Sequence, residues 1–224
     1  MSSDEIVKIE DFEIRLVKSL RAKHILLKQN TKGEIILTCP KFCPKSMAIR
    51  FAKTQVPWIR AHIRYAPKET VFKIGDEISI LGTPYLLQQG QRTSMKEGVL
   101  TVSGEEPFFH RRVCSYAQKI LLSYLQKQVA QLAKKLNVSN GRITLRNTSS
   151  RWGSCSSTRN LSFCWKIAFA PKEVVDYLIA HEVAHLVHMN HSPKFWMLVD
   201  TLTDQRLYAE KWLKKNGREL QSIR

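Results

Sequence analysis

Four histidines and a glutamate fall within one eleven-residue stretch, His181-Glu182-Val183-Ala184-His185-Leu186-Val187-His188-Met189-Asn190-His191, and their spacing constrains how this chain must fold. His181 and His185 stand four apart, so a helix places both imidazoles on one face, where they can grip a single ion. Glu182 is turned about 100° around the axis from His181, off the ligand stripe but within reach of a water on the open side of the metal. Zinc lowers the pKa of a bound water to about 7, and a carboxylate beside that water can take its proton and leave a hydroxide nucleophile. The pattern favours hydrolysis.

A catalytic zinc takes three protein ligands and keeps one position open, and both His188 and His191 are candidates for the third. In an unbroken helix His191 would lie about 9 Å beyond His185 along the axis, too far for two imidazoles bonded to one ion at about 2.1 Å. The helix must therefore stop first. Asn190 tolerates the left-handed conformation of a helix end, and Ser192-Pro193 reads as the N-cap and first-turn pair of a new helix, which favours His191. His188 stays on the helical stripe about 10.5 Å from His181, where sharing an ion with both earlier histidines is strained. Apolar Val183, Ala184, Leu186 and Val187 suit a helix buried enough to hold ligands rigidly.

With 224 residues the chain can bury a sizeable core, as one domain or two small ones. The N-terminus, Met-Ser-Ser-Asp-Glu-Ile-Val-Lys, has no apolar run behind it, and no stretch approaches a membrane span, so a cytoplasmic protein without membrane contact is expected. The cysteines Cys39, Cys43, Cys114, Cys155 and Cys164 are odd in number and scattered, which fits reduced thiols. No second Cys or His pair accompanies Cys39 and Cys43 to make another metal site. Thirty-six Lys and Arg against 19 Asp and Glu give a net charge of +17, a field that draws polyanions and makes nucleotide or nucleic acid a partner to weigh.

The first hundred residues read mainly as strands. His24 to Lys28 and Glu34 to Thr38 flank the turn Asn30-Thr31-Lys32-Gly33 as a hairpin, and a helix is expected from about Pro44 to Tyr65, split or kinked by Pro57. Strands around Ile78 to Leu81, Tyr85 to Gln88 and Val99 to Val102 follow, between glycine-bearing turns. From about Pro107 to Leu136 apolar residues recur at helical spacing, a long core helix. Strands at Arg142 to Arg146 and Leu161 to Ile167 then flank Ser150-Arg151-Trp152-Gly153-Ser154-Cys155. Ala170-Pro171 opens the metal helix, and the last helices run from Pro193 to about Thr201 and from about Gln205 to Lys215. No internal repeat shows in the sequence. The expected class is α+β, with an N-terminal β-rich subdomain over 1–104 and a second domain over 105–224 that carries the long helix and the active-site helix.

Arg151-Trp152-Gly153-Ser154-Cys155-Ser156, then Pro171, Asp176-Tyr177, His181-Glu182-x-x-His185 and Asn190-His191-Ser192-x-x-Phe195-Trp196 fall in order, and in this the chain resembles the YgjP-like metallopeptidases, which are similar to the SprT-like and other gluzincin-type proteins. Pro40, Trp58-Ile59, Gly75-Asp76 and Leu81-Gly82-x-x-Tyr85 extend the resemblance over nearly the whole chain. It implies that residues 105–224 form a zincin-like metalloprotease core, that His181, His185 and His191 bind zinc, that Glu182 is the base, and that the substrate is a peptide or protein. His188 stands where the related metzincins carry a turn-forming glycine, which moves the expected turn to Asn190.

Charge developing on a substrate oxygen needs a partner, and Arg151 and Tyr177 flank the expected cleft, with Tyr208 a weaker candidate. Trp152, Phe195 and Trp196 either line a pocket or clamp the metal helix, the second being favoured. Ser154 and Cys155 lack a local base and are not expected as nucleophiles. Asp176 and Asp200 are candidates to orient a ligand imidazole. The leading reading is a zinc-dependent hydrolase of metallopeptidase type. One alternative is a metal-dependent nucleoside triphosphate pyrophosphohydrolase in which Arg151 with Lys166 or Lys172 holds phosphates. Another is a nucleic-acid-associated protein with a structural metal site.

Overall fold

The computed structural model describes residues 5–30, 33–63, 69–105 and 108–224. The chain divides into two compact units, Met1–Glu69 and Thr70–Arg224, each with its own apolar core. The boundary thus falls well before the division at 104/105 read from the sequence. The strands after Thr70 bury Ile78, Ile80, Leu87, Leu100 and Val102 in the same cluster as the long helix and the metal helix, so packing assigns them to the second unit.

In the first unit β1 (Glu5–Ile9), β2 (Phe12–Ser19), β3 (Leu26–Gln29) and β4 (Ile35–Pro40) form one sheet in the order β1-β2-β4-β3. The β3–β4 pair is the hairpin expected from the sequence, although Thr31 and Lys32 of its turn lie outside the described residues. Alternating Ile35, Leu37 and Cys39 face inward, the period of two that a strand imposes. The expected helix is split, as Pro57 requires. Its parts are α1 (Lys45–Thr54) and α2 (Val56–Ile63), and its expected end at Tyr65 lies outside the described residues.

The second unit opens with β5 (Glu77–Ile80), β6 (Thr83–Gly90), β7 (Ser94–Lys96) and β8 (Val99–Ser103), ordered β5-β6-β8-β7. Both four-stranded sheets therefore share one plan, an antiparallel pair whose second strand runs parallel to the last. The sequence shows no repeat because strand order does not demand matching side chains. Leu81 and Gly82, at φ 49° and 79°, close the β5–β6 hairpin. A Cβ on Gly82 would lie 3.2 Å from the Lys172 amide, so the turn is held close to the start of the metal helix.

Next comes α3 (Phe109–Lys135), with its expected start at Pro107 outside the described residues. Val113, Ala117, Leu121, Leu125, Val129 and Ala133, four apart, form its buried stripe, as the 3.6-residue period demands. It ends on Asn137 at φ 54°, with Val138 N–H bonded to Ala133 and Asn137 N–H to Lys134, a left-handed cap that satisfies the last carbonyls. Then β9 (Ile143–Arg146), β10 (Gly153–Cys155) and β11 (Leu161–Cys164) form a sheet ordered β10-β11-β9. After a 3-10 turn over Trp165–Phe169 come α4 (Lys172–Ala184), α5 (Pro193–Leu202) and α6 (Arg206–Ser222). The last helix runs further than expected and buries Leu220. The architecture is mixed α and β, as read from the sequence. Among the described residues no helix is long and apolar enough to cross a membrane.

Candidate metal centre

The site begins with α4, which is apolar on most of its circumference: Val174, Val175, Leu178, Ile179, Ala180, Val183 and Ala184 are buried around it. A helix held on all sides cannot shift its polar side chains, which is what a rigid ligand set requires. His181 and His185 project from its end with ring centroids 5.0 Å apart.

The helix ends sooner than expected and by another device. Regular α-helix stops at Ala184, and the chain tightens through Leu186 N–H to Val183 and Val187 N–H to Ala184, at 2.9 and 3.1 Å. These are three-residue bonds of the kind that close helix ends without a left-handed residue. Asn190 is not among the residues with positive φ, so the expected turn at Asn190 is corrected to one starting at His185. Pro193 opens α5 as expected, and Ser192 occupies its N-cap without a side-chain cap bond.

The turn brings His191 back. Its Nε2 lies 3.1 Å from Nε2 of His181, and one nitrogen from each of His181, His185 and His191 falls within 4.8 Å of the others. Two nitrogens bonded tetrahedrally to zinc at 2.0–2.1 Å would be roughly 3.3–3.4 Å apart. The separation therefore fits a shared ion. His185 donates from Nδ1 to the His188 carbonyl at 3.0 Å, which leaves the lone pair on Nε2. His188 serves through its backbone, and its imidazole is not in the cluster.

Burial, with smaller contributions from His185 and His191, lowers the His181 pKa to about 4. Burial also lowers that of His185, against the bond to His188. Both rings are neutral at pH 7, the form that ligates a metal. Phe195, fully buried, stacks on His185 at 4.5 Å and meets His181 and His191 edge-on at 5.0 and 4.8 Å. Trp196 covers His191 at 5.6 Å. These aromatics clamp the rings, and Trp152 packs on α6, where a Cβ on Gly217 would lie 3.2 Å from its Cζ2.

Glu182 is buried, and burial raises its pKa to about 8 against the pull of Arg151. Among the described residues, the buried side-chain polar atoms without a hydrogen-bond partner are Glu182 Oε2 and His181 Nδ1. Unsatisfied polar atoms of this kind ask for a partner the protein itself does not supply, such as water or an ion. Arg151, Gly153, Ser154, Cys155, His181, Glu182, His185 and His191 line one cleft of about 530 Å³.

Other expected residues sit elsewhere. Tyr177 lies edge-on to His181 at 5.9 Å but donates its hydroxyl to Glu210 at 3.1 Å and does not line the cleft. Burial is the first cause of its raised pKa. Asp176 accepts bonds from Tyr124 and Lys172, and Asp200 pairs with Arg206, so neither orients a ligand ring. Tyr208, half-exposed on α6, is likewise absent from the cleft lining. Lys166 is buried with its amine on the Gln221 carbonyl, and Lys172 is tied to Asp176. The phosphate-holding pocket expected of Arg151 with either lysine is not assembled. What sequence reasoning missed is the His188 carbonyl, since a backbone acceptor has no residue signature, and the contact of Gly153 with Glu182.

A model of the YgjP-like metallopeptidase domain matches residues 23–216. The chain belongs to the YgjP-like metallopeptidase family. This YgjP-like chain also aligns with the solved structure of a metallopeptidase zymogen, abylysin of Pyrococcus abyssi, over 41% of its length and 93% of that chain, at 16% identity and a TM-score of 0.37. No curated protein matches it.

Proposed function

We propose that this protein is a zinc-dependent peptidase in which His181, His185 and His191 hold the metal and Glu182 is the general base. The observation that carries the reading is the placement of an unpartnered, buried carboxylate oxygen of Glu182 in the same cleft as three converging imidazoles. Zinc, when bound, acts as a Lewis acid and makes a water acidic enough to react at neutral pH.

The remaining work falls to the chain. Glu182 takes a proton from the attacking water and returns it to the leaving amine. Arg151, exposed at the cleft mouth, faces the negative charge that builds on the carbonyl oxygen. Tyr177 is a positioning residue that packs on His181 while its hydroxyl is held by Glu210. His185 keeps its ligating nitrogen free through the bond to His188.

The test is Glu182→Gln, assayed for metal content and for cleavage of an unstructured protein. The variant binds one zinc like the parent and loses roughly a hundred- to ten-thousand-fold in turnover. Undiminished cleavage by the variant sinks the role of Glu182, and a parent that holds no zinc sinks the metal assignment.

A further inference from the structure

A second concavity opens from the metal cleft across the β10-β11-β9 sheet. The register aligns Ser154 with Ser162 and Ser162 with Thr144, a row of short hydroxyl side chains on one face. The opposite face buries Leu161 and Phe163 in the core. Small residues leave the polar face low, and the result is a trough of about 1060 Å³ whose rim carries Arg142, Arg146 and Arg151. It shares Ser150, Arg151, Ser154 and Cys155 with the metal cleft.

Three features give this trough a chemistry. No aspartate or glutamate lines it. No acidic side chain forms an ion pair with Arg142 or Arg146 among the described residues, so both guanidinium groups keep their forks for a ligand. No aromatic side chain lines it either, so the stacking platform that single-stranded nucleic acid uses is missing. Guanidinium forks match carboxylate and phosphate alike, and without a platform for bases the ligand that fits a strand-lined trough is an extended chain bearing carboxylates.

We infer that the trough is an extension of the substrate site that selects acidic polypeptide, with Arg142 and Arg146 taking carboxylates of residues beside the scissile bond. The inference rests on the peptidase reading for its direction along the chain. Two strand spacings separate β10 from β9, roughly 10 Å, or about three residues of extended peptide. Because the arginines are exposed, each pair contributes little, and two or three together amount to roughly a tenfold preference.

The test uses the zinc-loaded full chain and matched quenched-fluorescent peptides that carry Glu, Gln or Lys two to four residues from the cleaved bond, on either side. On one side kcat/KM follows Glu over Gln over Lys, by roughly tenfold for Glu over Gln, and the preference shrinks at high salt. Arg142→Ser with Arg146→Ser flattens the series, and Arg146→Glu turns it toward Lys. Equal rates for the three peptides overturn the inference and leave the peptidase reading standing. If no peptide is cut, fluorescence anisotropy on Glu182→Gln protein decides. Binding of the Glu peptide that is lost in the double arginine variant upholds the trough while the peptidase reading falls. No binding overturns the trough, as does tighter binding of oligothymidylate of equal charge.

Discussion

Gly153 lies against Glu182 so closely that a Cβ on the glycine would fall 2.3 Å from Oε1 and 2.7 Å from both Cδ and Cγ. The strand β10 therefore forms a wall that fixes where the carboxylate can go. Gly153 is the central residue of Arg151-Trp152-Gly153-Ser154-Cys155, and each neighbour has a distinct task. Arg151 opens onto the cleft, Trp152 reaches toward Gly217 of α6, and Ser154 pairs with Ser162.

Gly153→Ala is expected to bind zinc normally and to lose at least about a hundredfold in turnover, because the added methyl drives Glu182 off its position. The same overpacking costs about 1–3 kcal/mol of stability. Gly217→Ala is the control. Its contact with Trp152 is milder at 3.2 Å, and the helix propensity gained, up to about 1 kcal/mol, offsets the crowding. Urea unfolding, metal content and cleavage rates on the two variants separate the cases. Normal turnover in Gly153→Ala would contradict the idea that the glycine positions the base.

Much of this was legible in the sequence because periodicity reports burial. The four-residue spacing of α3, the split at Pro57 and the β3–β4 hairpin are local patterns with local causes. The convergence of His181, His185 and His191 was legible for the same reason, since two spacings and a forced turn leave few solutions. What was hidden lies in the backbone and in tertiary packing. The turn at His185 uses carbonyls rather than Asn190, and His185 is oriented by a backbone oxygen rather than by Asp176 or Asp200. The unit boundary at Glu69 depends on which core the β5-to-β8 strands bury into. Side-chain patterns say that those strands have an apolar face and are silent on what it meets.

The two histidines weighed as third ligand are expected to behave oppositely when replaced. His191→Ala removes a nitrogen from the cluster and should weaken zinc binding by roughly a hundredfold or more, since even outer partners are worth ten- to a hundredfold. His188→Ala keeps the carbonyl that accepts from His185 Nδ1 and should bind zinc within a fewfold of the parent. Competition with a chelating dye reads both. Equal weakening by the two substitutions would mean that the His188 side chain is part of the ligand set.

The last prediction separates metal chemistry from thiol chemistry. Of the five cysteines, Cys39, Cys43, Cys114 and Cys164 are buried and Cys155 is partly exposed, where it lines the metal cleft. Burial pushes the Cys114 thiol up to about 12. Thiolate is the reactive form and is populated only as pH rises through the pKa, so Cys114 stays protonated and inert through pH 9. Burial and the Glu182 carboxylate raise the Cys155 thiol as well, so exposure decides the selectivity, and a bulky maleimide at pH 8 is expected to modify one cysteine per native chain, found at Cys155 by peptide mass mapping. The adduct fills the cleft and stops cleavage. Cys155→Ser should cleave substrate at close to the parent rate and keep that rate after maleimide treatment, since burial and the Glu182 carboxylate in the same cleft raise the thiol's pKa rather than lower it. An inactive, zinc-loaded Cys155→Ser would instead assign the sulfur a chemical part in the reaction.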